Sequence, residues 1–154
     1  CDMQAIHKLA HKYDFKIIED ASHAIGAKYL DKPVGNCEFS DICIFSFHPV
    51  KIITSAEGGM AVTNSDNLAK RLKRLRSHGL TTDPTEMTEP SHGPWYYQQI
   101  ELGFNYRMSD LHAALGMSQL SKVDEFVNQR HFLAKTYDSY LDLNLIRPLQ
   151  QSNT

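Results

Sequence analysis

Two short apolar runs, each stopping abruptly in polar chain, constrain this sequence more than any other feature. Phe15-Lys16-Ile17-Ile18 ends in Glu19-Asp20, and Asp41-Ile42-Cys43-Ile44-Phe45-Ser46-Phe47 runs into His48-Pro49-Val50-Lys51. Runs of this length, rich in β-branched and aromatic residues, read as buried strands. Met3, Ile6, Leu9, Ala10 and Tyr13 precede the first run at helical spacing, with Asp2 placed to cap their helix. Helix, tight turn and apolar strand together predict an α/β three-layer sandwich with a mostly parallel sheet. In such a fold the chemistry gathers at the strand ends.

The rest of the chain fits that plan. Asp31-Lys32-Pro33 reads as a turn between two small strands within 27–34, and Gly58-Gly59 as a turn into a strand over Met60-Ala61-Val62-Thr63. Ser65 or Asp66 caps a helix whose Leu68, Leu72 and Leu75 share one face and which ends at His78-Gly79. Its cations, from Lys70 to Arg76, read as a solvated outer face. Residues 80–99 are polar and proline-bearing and include Trp95-Tyr96-Tyr97, the composition of a binding loop or lid. Leu111, Ala114, Leu115 and Met117 mark a helix after Ser109. Ser121-Lys122-Val123-Asp124 has the form of a capping box opening a longer helix through about Leu141. Residues 146–154 read as the start of a linker, leaving 1–145 as one folded unit.

Composition excludes several classes of function. A formal charge of -2 provides no basic field to recruit nucleic acid. No apolar run approaches the ~18 residues of a membrane span. Cys1, Cys37 and Cys43 are odd in number and lack metal-ligand spacing, which argues against a disulfide framework or a metal centre and for a reducing, cytoplasmic setting. No P-loop or GxGxxG is present, so a nucleotide-binding module of those kinds is disfavoured. The first residues have no initiator Met and already read as helix, as expected of a stretch inside a larger protein.

The strand ends carry the candidate chemistry. An amine at the end of a buried strand can form a Schiff base with a carbonyl, and Lys51 is so placed. Asp20 closes the neighbouring run. Lysine and carboxylate at adjacent strand ends are what a pyridoxal phosphate site requires, one to hold the aldehyde and one to keep the pyridine nitrogen protonated. Taken singly, a lysine after a strand is usually a solvated surface residue, and a strand ending in Glu-Asp is more often a loop start or helix cap. Ser46 adds a hydroxyl to an otherwise apolar strand, where burial would demand a partner. Asn105 by itself reads as a turn residue.

Four segments resolve the ambiguity. Glu19-Asp20-Ala21-Ser22-His23-Ala24-Ile25-Gly26, Phe45-Ser46-Phe47-His48-Pro49-Val50-Lys51, Glu57-Gly58-Gly59 and Gly103-Phe104-Asn105-Tyr106-Arg107-Met108-Ser109-Asp110 resemble, in order, motifs of the DegT/DnrJ/EryC1/StrS nucleotide-sugar aminotransferases. The resemblance implies part of the large domain of a fold type I pyridoxal phosphate enzyme. It implies Lys51 as the Schiff-base lysine and base, Asp20 on the pyridine nitrogen, His23 beside the ring and Ser46 on the phosphate. Asn105 would reach the phosphate of the neighbouring subunit's cofactor, so a homodimer is implied. The Trp95-Tyr96-Tyr97 stretch is most similar to pseudaminic acid pathway transaminases, which aminate a UDP-linked 4-keto-6-deoxy-N-acetylhexosamine from glutamate. A sugar dehydratase of the family would carry His in place of Lys51, and a non-catalytic, regulatory member of the same fold is the other alternative. Glu57, Arg107 and His48 receive no assigned role. The family's upstream phosphate-gripping turn and its smaller C-terminal domain have no counterpart in this sequence.

Overall fold

Helix α1, Met3–Tyr13, begins where Asp2 accepts a hydrogen bond from the Ala5 N–H at 3.0 Å and ends at Asp14, whose φ of 53° turns the chain out of the helix. The computed structural model describes residues 1–141. Strand β1, Ile18–Asp20, follows, then a small hairpin of β2, Lys28–Tyr29, and β3, Lys32–Pro33. Leu30 and Asp31 between them both have positive φ, 49° and 62°, the backbone shape that matches the twist of a two-residue hairpin.

The central sheet has the order β1-β4-β5, with β4 spanning Ile42–Ser46 and β5 spanning Gly59–Val62. β1 and β4 are parallel, with Ile18 opposite Ile42 and Asp20 opposite Ile44. β4 and β5 are antiparallel, with Cys43 opposite Val62 and Ser46 opposite Gly59. A mostly parallel sheet is therefore not what these residues form; they contain one pairing of each kind. The connection from Phe47 to Gly58 holds no helix, and without a helical crossover the chain returns alongside β4 in the opposite direction.

Alternation along the strands separates two faces. Cys43 and Phe45 point to a closed face, where they join Ala21, Cys37, Phe47 and Ile53 in the core. Val34, Ile52, Met108, Val123 and Phe126 pack over that cluster. Gly35, at φ 96°, lies so close that a Cβ there would come within 2.7 Å of the Phe45 ring. The opposite face carries Ile18, Asp20, Ile44 and Ala61, all exposed, with Ser46 half-buried. Of the three layers expected, the described residues thus provide the sheet and the cover of one face. The first apolar run is split accordingly: Ile17 is buried, whereas Phe15 and Ile18 are exposed.

Helix α2, Asp66–Leu75, is capped by Ser65, which accepts from the Leu68 N–H. It stops short of the expected end, and His78 and Gly79 at φ 61° and 70° turn the chain beyond it. Its basic face is not simply solvated. Lys70 pairs with Asp83 at 3.4 Å and Glu86 at 2.8 Å, while Arg74 pairs with Glu86 at 3.3 Å and also with Glu101. These acids lie in or beside the loop from 80 to 99, whose base is closed by β6, Leu80–Thr81, pairing with β7, Gln98–Gln99.

Ser109 caps α3, Asp110–Leu120, and α4 spans Val123–Tyr140. The expected capping box at Ser121 does not form. α3 and α4 are almost continuous, so Ser121 belongs to the last turn of α3 and donates to the Ser118 carbonyl, while Lys122 makes no side-chain cap. α4 meets the loop after β1 through Val123 and Val127, which crowd Gly26. No helix among the described residues is long and apolar enough to cross a membrane. The linker reading for 146–154 lies outside the described residues, which cover the 1–145 unit through Leu141.

Candidate active site

Because β1 and β4 run parallel, their C-terminal ends reach the same edge of the sheet, the usual place for ligands in α/β folds. Asp20 is the last residue of β1 and Ser46 the last of β4, and the register puts both on the open face. The Ala21 N–H donates to the Ile44 carbonyl at 2.9 Å, extending the ladder one step past Asp20. The chain then turns, and Ser22 donates to Asp20 Oδ1 twice, from its hydroxyl at 2.5 Å and its N–H at 3.1 Å. Those two bonds, hydroxyl first, hold the Asp20 carboxyl below its ordinary value despite some desolvation, and the charges of Lys51 and His23 add to the effect. Asp20 Oδ2 accepts no hydrogen bond among the described residues, so one oxygen is fixed and the other is available.

Lys51 lies in the loop after β4, where its N–H donates to the His48 carbonyl at 3.0 Å. Its Nζ stands 2.8 Å from His23 Nε2. The loop is tied down beneath it: the Ser55 N–H and the Thr54 hydroxyl both donate to the Phe47 carbonyl, at 3.0 and 2.9 Å. Ile53 and Ser55 are almost wholly buried, and the Ser55 hydroxyl donates to the Glu57 carbonyl at 2.8 Å. Glu57 itself is exposed and enters this loop through its backbone. His48 Nδ1 faces the Val50 N–H at 3.5 Å, so it helps shape the lysine turn. The Ser46 hydroxyl is half-buried and has no hydrogen-bond partner among the described residues. It avoids the cost of burial by facing the open side.

Asp20, His23 and Lys51 are thus brought together with Ser46 at the adjoining strand end. Asn105 is placed elsewhere, bridged to Ser77 beyond α2. Around it the Phe104 N–H donates to the Leu75 carbonyl, the His78 N–H to the Phe104 carbonyl and the Tyr106 N–H to the Arg76 carbonyl, at 2.7, 2.8 and 3.0 Å. No hydrogen bond among the described residues joins Asn105 to the other four. Its side chain is exposed, flanked by Phe104 and Tyr106, whose rings stack 4.7 Å apart. Sequence reasoning missed Ser22, the residue that fixes Asp20. The signal was available: Asp followed two positions later by Ser is the pattern of a side-chain-closed turn.

An anion held on one oxygen, an amine beside an imidazole and a spare hydroxyl at one open edge form a donor set suited to a phosphorylated pyridine aldehyde. The comparisons agree with that class of protein. Residues 1–152 match the DegT/DnrJ/EryC1/StrS aminotransferase family, and the chain belongs to it. This family uses pyridoxal phosphate. Over 143 residues the chain is 43% identical to a UDP-4-amino-4,6-dideoxy-N-acetyl-beta-L-altrosamine transaminase of Campylobacter jejuni, covering 93% of this chain and 35% of that protein. An uncharacterised protein of Methanocaldococcus jannaschii is 41% identical over 138 residues, 90% of this chain and 35% of its own. Among solved structures, the Helicobacter pylori aminotransferase PseC, of pseudaminic acid biosynthesis, superimposes with a TM-score of 0.80 at 34% identity, covering 90% of this chain and 34% of that one. A putative sugar aminotransferase of Streptococcus pneumoniae, solved in pyridoxamine and pyridoxal phosphate forms, gives TM-scores of 0.77 and 0.74 at 28% identity. The chain spans about a third of the length of the relatives it matches.

Proposed function

We propose that this chain is the central part of a pyridoxal phosphate-dependent aminotransferase that aminates C4 of a UDP-linked 4-keto-6-deoxy-N-acetylhexosamine, with glutamate as donor. The observation that carries the reading is the convergence of Asp20, His23 and Lys51 at the edge where β1 and β4 end. Similarity to the Campylobacter jejuni transaminase and to PseC supports the sugar class. The fold that accompanies this reading is a three-layer fold type I large domain whose sheet acquires more parallel strands in the whole enzyme.

When bound, pyridoxal phosphate supplies an electron sink for the negative charge that develops on the donor's α-carbon. The protein does the rest. Asp20 remains ionised, because Ser22 and the nearby cations favour the charged form, and its carboxylate would hold the protonated ring nitrogen of the bound cofactor. Ser46 directs its unpaired hydroxyl to the phosphate. Lys51 Nζ is the amine that would hold the aldehyde of the bound cofactor and, when free, would serve as the base for the donor's α-proton. His23 orients that amine through the 2.8 Å contact and borders the ring. Asn105, exposed on a rigid backbone turn, reaches the cofactor phosphate of a second subunit, so the working unit is a homodimer. Cytoplasmic residence fits the free thiols of Cys37 and Cys43.

Titration with pyridoxal phosphate tests the reading. A visible absorption band is expected in the parent and absent in Lys51→Ala, and the full-length protein should turn over the UDP-keto sugar with glutamate. If no Lys51-dependent band forms even with the flanking regions present, the transaminase reading fails. Cofactor binding without sugar turnover would select the regulatory alternative.

A further inference from the structure

His7 and His11 are one turn apart on α1 and share a face of the helix. Their Nε2 atoms lie 3.1 Å apart, and the rings stand nearly perpendicular at 83°. His7 Nδ1 is 3.2 Å from the Phe39 carbonyl. A carbonyl only accepts, so His7 carries its proton on Nδ1 and presents a lone pair at Nε2. His11 then supplies the Nε2–H that bridges the rings. Phe39 also packs edge-on against the His7 ring at 5.7 Å, with Tyr29 edge-on to Phe39 at 5.8 Å. An imidazole anchored through Nδ1–H to a backbone carbonyl, with Nε2 free, is the arrangement that orients histidine ligands to metals.

We propose that His7 and His11 form a two-imidazole site for a divalent first-row transition-metal ion of the Ni2+ and Zn2+ class. With metal–nitrogen bonds of about 2.0–2.1 Å, two nitrogens this far apart subtend roughly 100° at the ion, between octahedral and tetrahedral angles. The exposed His11 ring turns to aim its lone pair at the ion. Its proton passes through solvent from Nε2 to Nδ1, so the ion replaces a hydrogen bond without net proton release. No group of three or more candidate ligands occurs among the described residues, so water fills the remaining positions. Asp41 does not coordinate: it accepts from the Ile17 N–H at 2.9 Å and pairs with Lys16 at 3.5 Å, contributing only its field. Binding would clamp one turn of α1 at the point where His7 meets the Phe39 carbonyl, and it is independent of the aminotransferase reading.

Calorimetric titration of the chain with Ni2+, joined to NMR, tests the site. Affinity should fall at least about tenfold in both His7→Ala and His11→Gln, because chelation becomes single-ligand binding. It should be unchanged in Cys1→Ser, whose exposed thiol is the competing ligand. The paramagnetic ion should broaden α1 and Phe39 resonances first, with far-UV circular dichroism confirming that the variants remain folded. The proposal is overturned by absence of binding below about 1 mM Ni2+, by an isotherm insensitive to either histidine, by loss confined to one of them, or by loss in Cys1→Ser.

Discussion

The two faces of β4 differ more than any two regions of this chain, although they alternate residue by residue. Cys43 and Phe45 are sealed in the core, while Ile44 between them is 40% exposed and Ser46 has a free hydroxyl. The closed face makes stability. The open face, shared with Asp20, carries the groups assigned to the cofactor. One short strand divides the two tasks by pleat alone.

The sharpest way to break that contrast is truncation on each face. Phe45→Ala should cost about 3–5 kcal/mol in denaturant unfolding, through lost burial and the cavity left beside Gly35. Ile44→Ala should cost less than about 1 kcal/mol. Equal costs would mean that the open face is covered in solution.

Alkali probes the closed face next. Burial pushes the Cys43 thiol up to about 11 from an ordinary 9.0. Above the ordinary value the unfolded chain sheds this proton while the folded chain retains it, so stability falls as pH rises from 9.0 towards about 11. Cys43→Ala should flatten that fall in a pH series of unfolding midpoints, and an unchanged slope would assign it to other groups. Neutral-pH alkylation should meanwhile modify exposed Cys1 well before Cys37 or Cys43.

A smaller effect is expected where α2 clamps the loop. Arg74→Ala removes the cation shared by Glu86 and Glu101 and should expose 82–97 to proteolysis without changing the sheet's hydrogen-exchange protection. Uniform loss of protection would place the pair in the core instead. The subtlest change belongs to the open face. Ser22→Ala should raise the Asp20 titration towards its ordinary 3.8, followed by carboxyl NMR. The depressed carboxyl contributes stability above its ordinary range and loses it as pH falls through the folded value, so parent and variant should converge in acid.

Periodicity made α1, α2, α3 and both strands of the site readable, because apolar residues recur at helical spacing or in short runs, although Leu111, Ala114, Leu115 and Met117, which mark α3, are exposed. The lysine loop and its partner carboxylate were equally readable, since a polar residue ending such a run lies at the sheet edge. The antiparallel return of β5 was not, because a connection without helical pattern leaves strand direction open. Nor was the ion-pair clamp: Lys70 and Arg74 meet acids 12 to 27 residues away, a separation that leaves no local signature. The Ser121 box failed for a related reason, as local chemistry was preempted by the preceding helix.

The turn after α2 has a consequence for how a side chain can be presented. Residues 103–106 are held to 75–79 by main-chain hydrogen bonds, and Gly79 and Gly103 approach so closely that a Cβ on Gly103 would come within 2.6 Å of the His78 carbonyl carbon. The shape is therefore carried by the backbone and two glycines. Phe104, Asn105 and Tyr106 point outward without fold duties, so the turn can present a side chain to a second subunit while the backbone and two glycines keep its shape.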